Sequence, residues 1–116
     1  MTYFQIQEIK DDLMITDDKD DIKLLNWGTI ADGQVDDMLY EIASKNRKIA
    51  SLPVLPINPP PPSVIGAAND MVKRKYALFN KNYESAKNYK EDAELAITGF
   101  VDRLKVDREI YGRILH

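Results

Sequence analysis

The chain has 116 residues, of which 44% are hydrophobic and 30% charged, and its formal net charge is −3. This length indicates a single domain with a modest core, and the net negative charge argues against a general nucleic-acid binder. The absence of cysteine excludes disulfides, thiolate nucleophiles and cysteine-ligated metals, and no apolar run approaches the roughly 20 residues of a membrane-spanning helix.

The first predicted helix covers about residues 3–13. Thr2 precedes Gln5 by three residues, which is the spacing of a capping box. Apolar side chains then recur at helical intervals at Ile6, Ile9 and Leu13.

The second predicted helix is long and covers about residues 17–50. Thr16, Asp17 and Asp18 are typical of a helix start, because their oxygens accept free backbone N–H groups and acids suit the positive end of a helix. Apolar residues then follow one face at Leu24, Trp27, Ala31, Val35, Met38, Ile42 and Ile49. Asp32-Gly33 could form a turn that divides this segment into two helices, but the unbroken stripe favours one helix, with a kink at most.

A proline-rich segment, SLPVLPINPPPPS, follows at residues 51–63. Four consecutive prolines at 59–62 cannot lie inside a helix or a central strand, and they favour an extended polyproline conformation. We expect a spacer between helices in preference to a ligand for a proline-recognition domain. Its apolar residues Leu52, Val54, Leu55 and Ile57 predict that it packs against the core or against a neighbouring molecule.

Two further helices are predicted after the linker. Ser63 is the expected cap of a third helix that ends at Phe79, Asn80–Asn82 is the expected break, and a fourth helix covers about Glu84–Val106. The fold class is therefore all-α, a small bundle of about four helices with a proline-rich extended linker between the second and third. We assign residues 1–106 to this domain and 107–116 to a C-terminal tail that becomes ordered with a partner.

Catalysis is not expected from this sequence. The acids between Asp11 and Asp21 fail the calcium-loop pattern because Ile22 and Lys23 occupy ligand and glycine positions, so a solvated loop is the better interpretation. The only histidine is His116, and there is no cysteine, phosphate-binding loop or HExxH motif. We expect no enzyme activity, no cofactor and no bound metal.

The charges are distributed unevenly along the chain. Residues 1–44 carry eleven acids and three bases, a net charge of −8, whereas residues 45–116 carry eight acids and thirteen bases, a net charge of +5. One interpretation is head-to-tail association of identical subunits, and the other is a charge dipole without functional consequence. The candidate subunit-interface residues are Asp17, Asp18, Asp20, Asp21, Lys73, Arg74 and Lys75.

Three segments carry a family resemblance. They are Ile15–Asp21 followed by Leu24-Leu25, the helix entry from Pro61 to Ile65, and the segment from Tyr89 to Phe100 with Ala93, Ile97 and Gly99. Together with the order of helices and linker, they resemble the head–tail connector (adaptor or head-completion) proteins of tailed phages.

This resemblance implies a structural virion protein without enzyme activity, located at the head–tail junction and in the host cytoplasm during assembly. Such adaptors form a homo-oligomeric ring beneath the portal protein and above a tail-side connector or stopper protein. The ring extends the channel through which packaged DNA passes without sequence-specific binding, and no membrane is involved. The tail would anchor the chain to its partner through Val106, Arg108, Ile110, Tyr111, Arg113, Ile114 and Leu115.

Two other classes of function stay open. One is a generic small helical protein–protein interaction module, a regulator or adaptor that binds through the stripe containing Trp27. The other is a small nucleic-acid binder that uses the basic run Lys73–Lys75. We expect Trp27 to pack in the core in preference to serving as an exposed interface anchor.

Overall fold

The computed structural model describes residues 3–108 and forms an all-α bundle. Its elements are α1 (Ile6–Asp12), α2 (Asp21–Lys45), a short 3-10 helix (Ile49–Ser51), α3 (Pro62–Phe79) and α4 (Tyr83–Asp102). The predicted fold class is confirmed: the described residues form four α-helices, with the proline-rich segment between the second and third.

The helices pack into an elongated bundle of 58 × 28 × 18 Å. Trp27, near the start of α2, contacts Phe79 at the end of α3, with their ring centroids 5.9 Å apart. At the opposite end, Lys48 Nζ donates to the carbonyl oxygen of Asp102 at 2.7 Å. Helices α2 and α3 are therefore antiparallel, α2 and α4 run in the same direction, and α1 packs against both α2 and α3.

Helix α2 passes through Gly28 and Gly33 without a break, but it is shorter than predicted at both ends. It begins at Asp21 and not at residue 17, because Asp17 and Asp18 remain in the preceding loop. It ends at Lys45 and not at residue 50, because Arg47 adopts a left-handed conformation with φ of 55°. The length of the helix was therefore overestimated, although its continuity was predicted correctly.

The buried face of α2 lies slightly to one side of the predicted stripe. Its buried residues are Leu24, Gly28, Ala31, Val35, Leu39 and Ala43. The predicted residues Trp27, Met38 and Ile42 are only partly buried at the edge of this face, and Ile49 is outside the helix and exposed. The glycine at position 28 leaves room for the ring of Phe4, which packs directly against the helix there.

The other helix starts also differ from the predicted ones. Helix α1 begins at Ile6 and not at residue 3, because the backbone N–H groups of Tyr3 and Phe4 donate to the Asp32 carboxylate; Thr2 lies outside the described residues. Pro62 is the first residue of α3, so Ser63 is not its cap.

Helix α4 is capped by Asn82, whose side-chain oxygen accepts from Ser85 N at 3.3 Å. It ends at Asp102, four residues before the predicted end at Val106.

The proline-rich linker lies against the core, as its apolar residues predict. Ile57 is buried, Leu52 and Leu55 are partly buried against the core cluster, and Val54 remains exposed. The linker bends repeatedly along its length, so it is not one continuous polyproline helix. Its peptide bonds Leu55-Pro56 and Asn58-Pro59 are cis.

Three helices end in the same hydrogen-bonded motif without glycine. Met14, Arg47 and Lys81 have φ of 60°, 55° and 60°, and each follows the last residues of a helix. After α3, for example, Lys81 N donates to Leu78 O at 3.0 Å and Asn82 N to Ala77 O at 2.8 Å. This is a Schellman motif, in which glycine is normally preferred because a Cβ disfavours the left-handed conformation.

We expect Lys81→Gly to raise the free energy of unfolding by about 1 kcal/mol, because glycine relieves the left-handed strain at this exposed position. The matched control is Lys81→Ala, which removes the same charge but keeps the Cβ and should leave stability nearly unchanged. Urea denaturation followed by circular dichroism measures both. Equal stabilisation by both substitutions would assign the effect to the lysine charge.

Candidate functional site

The N-terminal segment Tyr3–Phe4 is hydrogen-bonded to the middle of α2 and to the linker. Tyr3 N donates to both carboxylate oxygens of Asp32 at 3.1 Å. The Tyr3 hydroxyl donates to Asp36 Oδ1 at 2.6 Å and accepts from Ile57 N at 2.7 Å. Burial is the main cause that raises the pKa of Tyr3, and the hydrogen bond to Asp36 raises it further. This hydroxyl therefore has a structural role and joins three segments of the chain.

A buried amide connects α1 to α3. Asn69 Oδ1 accepts from Gln5 N at 2.8 Å, and Asn69 Nδ2 donates to Glu8 Oε2 at 2.9 Å. The Asn69 residue is only 5% exposed. Because a buried amide needs partners for both its oxygen and its nitrogen, this contact sets the register of α1 on α3.

The acidic loop between α1 and α2 is neutralised in part by a lysine of its own chain. Lys10 Nζ lies 2.9 Å from Asp18 Oδ1 and 2.8 Å from Asp21 Oδ1. The hydrogen bonds that Lys10 donates to Asp21 and Asp18 raise the pKa of Lys10, and the bond from the same lysine lowers the pKa of Asp18. The side chain of Asp18 nevertheless remains 89% exposed. Asp20 lies 3.9 Å from Lys23 Nζ, while Asp17 accepts from the backbone N of Lys19.

The basic run on α3 lies at the same end of the bundle as the acidic loop. Lys73 forms ion pairs with Asp12 of α1 and with Asp70, and its side chain is only 12% exposed. Arg74 and Lys75 are partly buried. The antiparallel packing of α2 and α3 thus places the two predicted interface clusters at the same end of one molecule, where Lys73 is engaged by Asp12 and Asp70 of its own chain.

Asp70 is a partly buried carboxylate in this charged region. Burial is the main cause that raises its pKa to about 6; Lys73 opposes this effect, while Asp92 and Asp12 add to it. A carboxyl group whose pKa is raised in the folded state favours folding when protonated. Its contribution is complete below the usual carboxyl pKa of 3.8 and is lost as the pH rises through about 6.

We therefore expect Asp70→Asn to stabilise the protein at pH 7 by about 1 kcal/mol, a figure reduced for partial solvent screening. The gain should shrink as the pH falls from 7 to 4. Thermal denaturation of both proteins across this range measures it, with the exposed Asp37→Asn as control. A gain of the same size at every pH would contradict the assignment.

The opposite end of the bundle is basic and contains an open groove. Six basic residues lie at this end, which we call the basic end: Lys45, Arg47, Lys48, Arg103, Lys105 and Arg108. The groove has a volume of about 460 Å³ and is lined by Pro61, Pro62, Ser63, Phe100, Arg103 and Leu104. It lies between the start of α3 and the end of α4, and its lining combines apolar residues from both segments with the guanidinium group of Arg103.

The beginning of the predicted tail contacts the domain. Asp107 N donates to Arg47 O at 2.7 Å, and Asp107 Oδ1 accepts from Ala50 N at 2.8 Å. Of the predicted partner-binding residues, Val106 is partly buried and Arg108 exposed. The other five lie outside the described residues: Ile110, Tyr111, Arg113, Ile114 and Leu115.

A second exposed apolar surface lies at the acidic-loop end. Trp27 packs at the edge of the core against Phe79, which is 54% exposed. Lys23 Nζ covers the Phe79 ring at 3.8 Å from its centroid. Trp27 is therefore partly a core residue and partly a surface residue.

Among residues 3–108, no group of three or more histidine, cysteine, aspartate or glutamate side chains could hold a metal ion. Over the same residues, no helix has both the length and the apolar character needed to cross a membrane. No protein-family model, curated protein or solved structure matches the chain.

Neither the groove nor the docking of Phe4 on α2 was predicted from the sequence. Arg103 and Leu104 lie about forty residues from Pro61 and Pro62 along the chain, so no local pattern joins them. Gly28 makes the Phe4 contact possible, but Gly33 in the same helix has open space around it, so a glycine inside a helix does not by itself predict such a contact.

Proposed function

We propose that this chain is a structural adaptor of the head–tail junction of tailed phages, which assembles as a ring beneath the portal protein. The observation that carries this proposal is the placement of two different surfaces at opposite ends of the bundle. The exposed acidic loop precedes α2, and the basic end with its groove follows α2 and α4. Unlike ends are what a head-to-tail contact requires, and such a contact gives a closed ring when the rotation between successive copies closes.

Other features are consistent with this assignment. The four helices and the linker occur in the order that the family resemblance implies. The ring would extend the DNA channel and contact the portal protein on one side and a tail-side connector or stopper protein on the other. The chain would then act in the virion and, during assembly, in the host cytoplasm.

The test begins with the genes that flank this one. We expect portal, capsid or terminase genes, and co-expression with the portal gene should give a complex that co-elutes in size-exclusion chromatography. Removal of residues 109–116 should abolish this complex while the circular dichroism spectrum stays helical, because truncation after Arg108 preserves the Asp107 contacts with Arg47 and Ala50. Flanking metabolic or regulatory genes, or undiminished binding after truncation, would contradict the proposal.

The alternative is a generic helical interaction module with no virion role. The partly exposed Trp27–Phe79 pair favours it, because exposed aromatic residues are common anchors of protein interfaces. A stable one-to-one complex with a cellular protein, lost on Phe79→Ala and retained after truncation at Arg108, would favour this alternative over the ring.

A further inference from the structure

The groove at the basic end presents a specific combination of apolar and cationic chemistry. Phe100 and Leu104 are partly buried and supply apolar surface, and Arg103 is exposed at the rim. Among the described residues, Arg103 has no ion-pair partner. An apolar side chain with carboxylates close beside it would therefore complement both the apolar lining and the guanidinium group of Arg103.

The loop between α1 and α2 carries that combination. Met14 is 86% exposed, the second most exposed large hydrophobic side chain among the described residues. Asp17 and Asp18 follow it on the same loop and are also exposed. An unbranched thioether side chain adapts readily to an irregular apolar cleft.

Met14 is presented by a defined backbone conformation. Its N–H donates to Asp11 O at 3.2 Å, and the N–H of Ile15 donates to Lys10 O at 2.8 Å. Lys10 in turn holds the loop through its ion pair with Asp18 at 2.9 Å. Because the loop is ordered before any contact forms, little conformational entropy is lost when it binds.

The loop and the groove cannot meet within one molecule. They lie at opposite ends of α2, whose 25 residues span about 37 Å. A contact between them therefore joins two copies of the chain in a head-to-tail arrangement, with one loop and one groove left free at the ends of each pair.

We propose that Met14 of one copy inserts into the groove of the next copy, with Asp17 and Asp18 facing Arg103 and Lys105. This contact specifies how two copies would bind each other in the assembly role proposed above, and it rests on that role. It also differs from the charge pairing predicted from the sequence, since Lys73 is engaged by Asp12 within its own chain and the partner bases come from the end of α4.

Cysteine crosslinking tests this contact directly, because the chain has no cysteine of its own. Thr16→Cys places a thiol on the loop beside Met14, and Ser63→Cys places one in the groove. When the two variants are mixed under mild oxidation, we expect the mixed disulfide dimer to form about tenfold faster than with Leu95→Cys in place of Ser63→Cys, because docking raises the local thiol concentration. Leu95 is 70% exposed on another surface. Equal rates with both partners would overturn the proposal.

Substitutions that change the charge or the shape of the contact distinguish specific docking from nonspecific electrostatic attraction. Arg103→Glu in the groove variant, or Met14→Glu in the loop variant, should return the crosslinking rate to that of the control. Lys45→Glu and Val54→Glu introduce the same charges at exposed positions outside the contact and should retain the fast rate. Loss of the fast rate with all four substitutions would show nonspecific association and overturn the proposal.

The outcome also separates this contact from the proposed virion role. Rapid crosslinking without a portal complex would support the head-to-tail contact and contradict the virion role. A portal-bound ring in which Thr16→Cys and Ser63→Cys do not crosslink would support the virion role and overturn the proposed contact between Met14 and the groove.

Discussion

Replacement of Gly28 with alanine should lower the free energy of unfolding by about 2 kcal/mol, even though alanine favours helix formation by roughly 1 kcal/mol. A Cβ at this position would lie 2.5 Å from three ring atoms of Phe4. Because Phe4 is buried against α2, the ring must move, and the N-terminal segment with its hydrogen bonds to Asp32 must move with it. Chemical denaturation measures the loss.

The same helix supplies the control for this substitution. A Cβ added at Gly33 would meet no atom within 4 Å, so Gly33→Ala should stabilise the protein by about 1 kcal/mol through helix propensity alone. In a Phe4→Ala background, Gly28→Ala should lower the free energy of unfolding much less, since the clashing ring is absent. Destabilisation of similar size by both glycine substitutions in the wild-type background would show that the Phe4 contact is not responsible.

Tyr3→Phe should destabilise the protein by about 2 kcal/mol, because it leaves the buried N–H of Ile57 without its acceptor and removes a hydrogen bond to a carboxylate. The Tyr3 hydroxyl lies 2.7 Å from Ile57 N and 2.6 Å from Asp36 Oδ1. The substitution changes no other atom, so the effect reports on the connection between the N-terminal segment, α2 and the linker. Thermal denaturation with circular dichroism provides the measurement.

Tyr40→Phe is the matched control for Tyr3→Phe. Tyr40 lies on the same helix as Asp36 and is 60% exposed, so loss of its hydroxyl should change stability by less than about 0.5 kcal/mol. Hydrogen exchange of the Ile57 amide adds a local measurement, and it should become faster only in Tyr3→Phe. An unchanged melting temperature for Tyr3→Phe would mean that this hydroxyl does not stabilise the linker.

The sequence and the structure disagree mainly at helix ends. Helix α2 was predicted to begin at residue 17, but Asp17 and Asp18 remain in the loop and Lys10 binds Asp18 and Asp21. Acidic residues suit both a helix start and a loop that faces a lysine, so local chemistry does not distinguish the two. The end of α2 was missed because the left-handed residue is Arg47, a type that gives no such signal.

The interface clusters show a second limit of sequence reasoning. The acidic first part and the basic second part of the chain predict contact between subunits, and this stays a prediction; within one molecule, Lys73 of the predicted basic cluster already pairs with Asp12 and Asp70. Net charge along the chain contains no information on which segments become neighbours after folding. The groove depends in the same way on two segments, at 61–63 and 100–104, that only the bundle brings together.

The sequence by itself determined the all-α class, the order of four helices and the position of the linker, because helical periodicity and proline runs are local properties of the chain. The tertiary structure decided which charges are already paired, why Gly28 must lack a side chain and where a groove opens. Those features arise from the antiparallel packing of distant segments, and their energies depend on distances between atoms that no local pattern specifies.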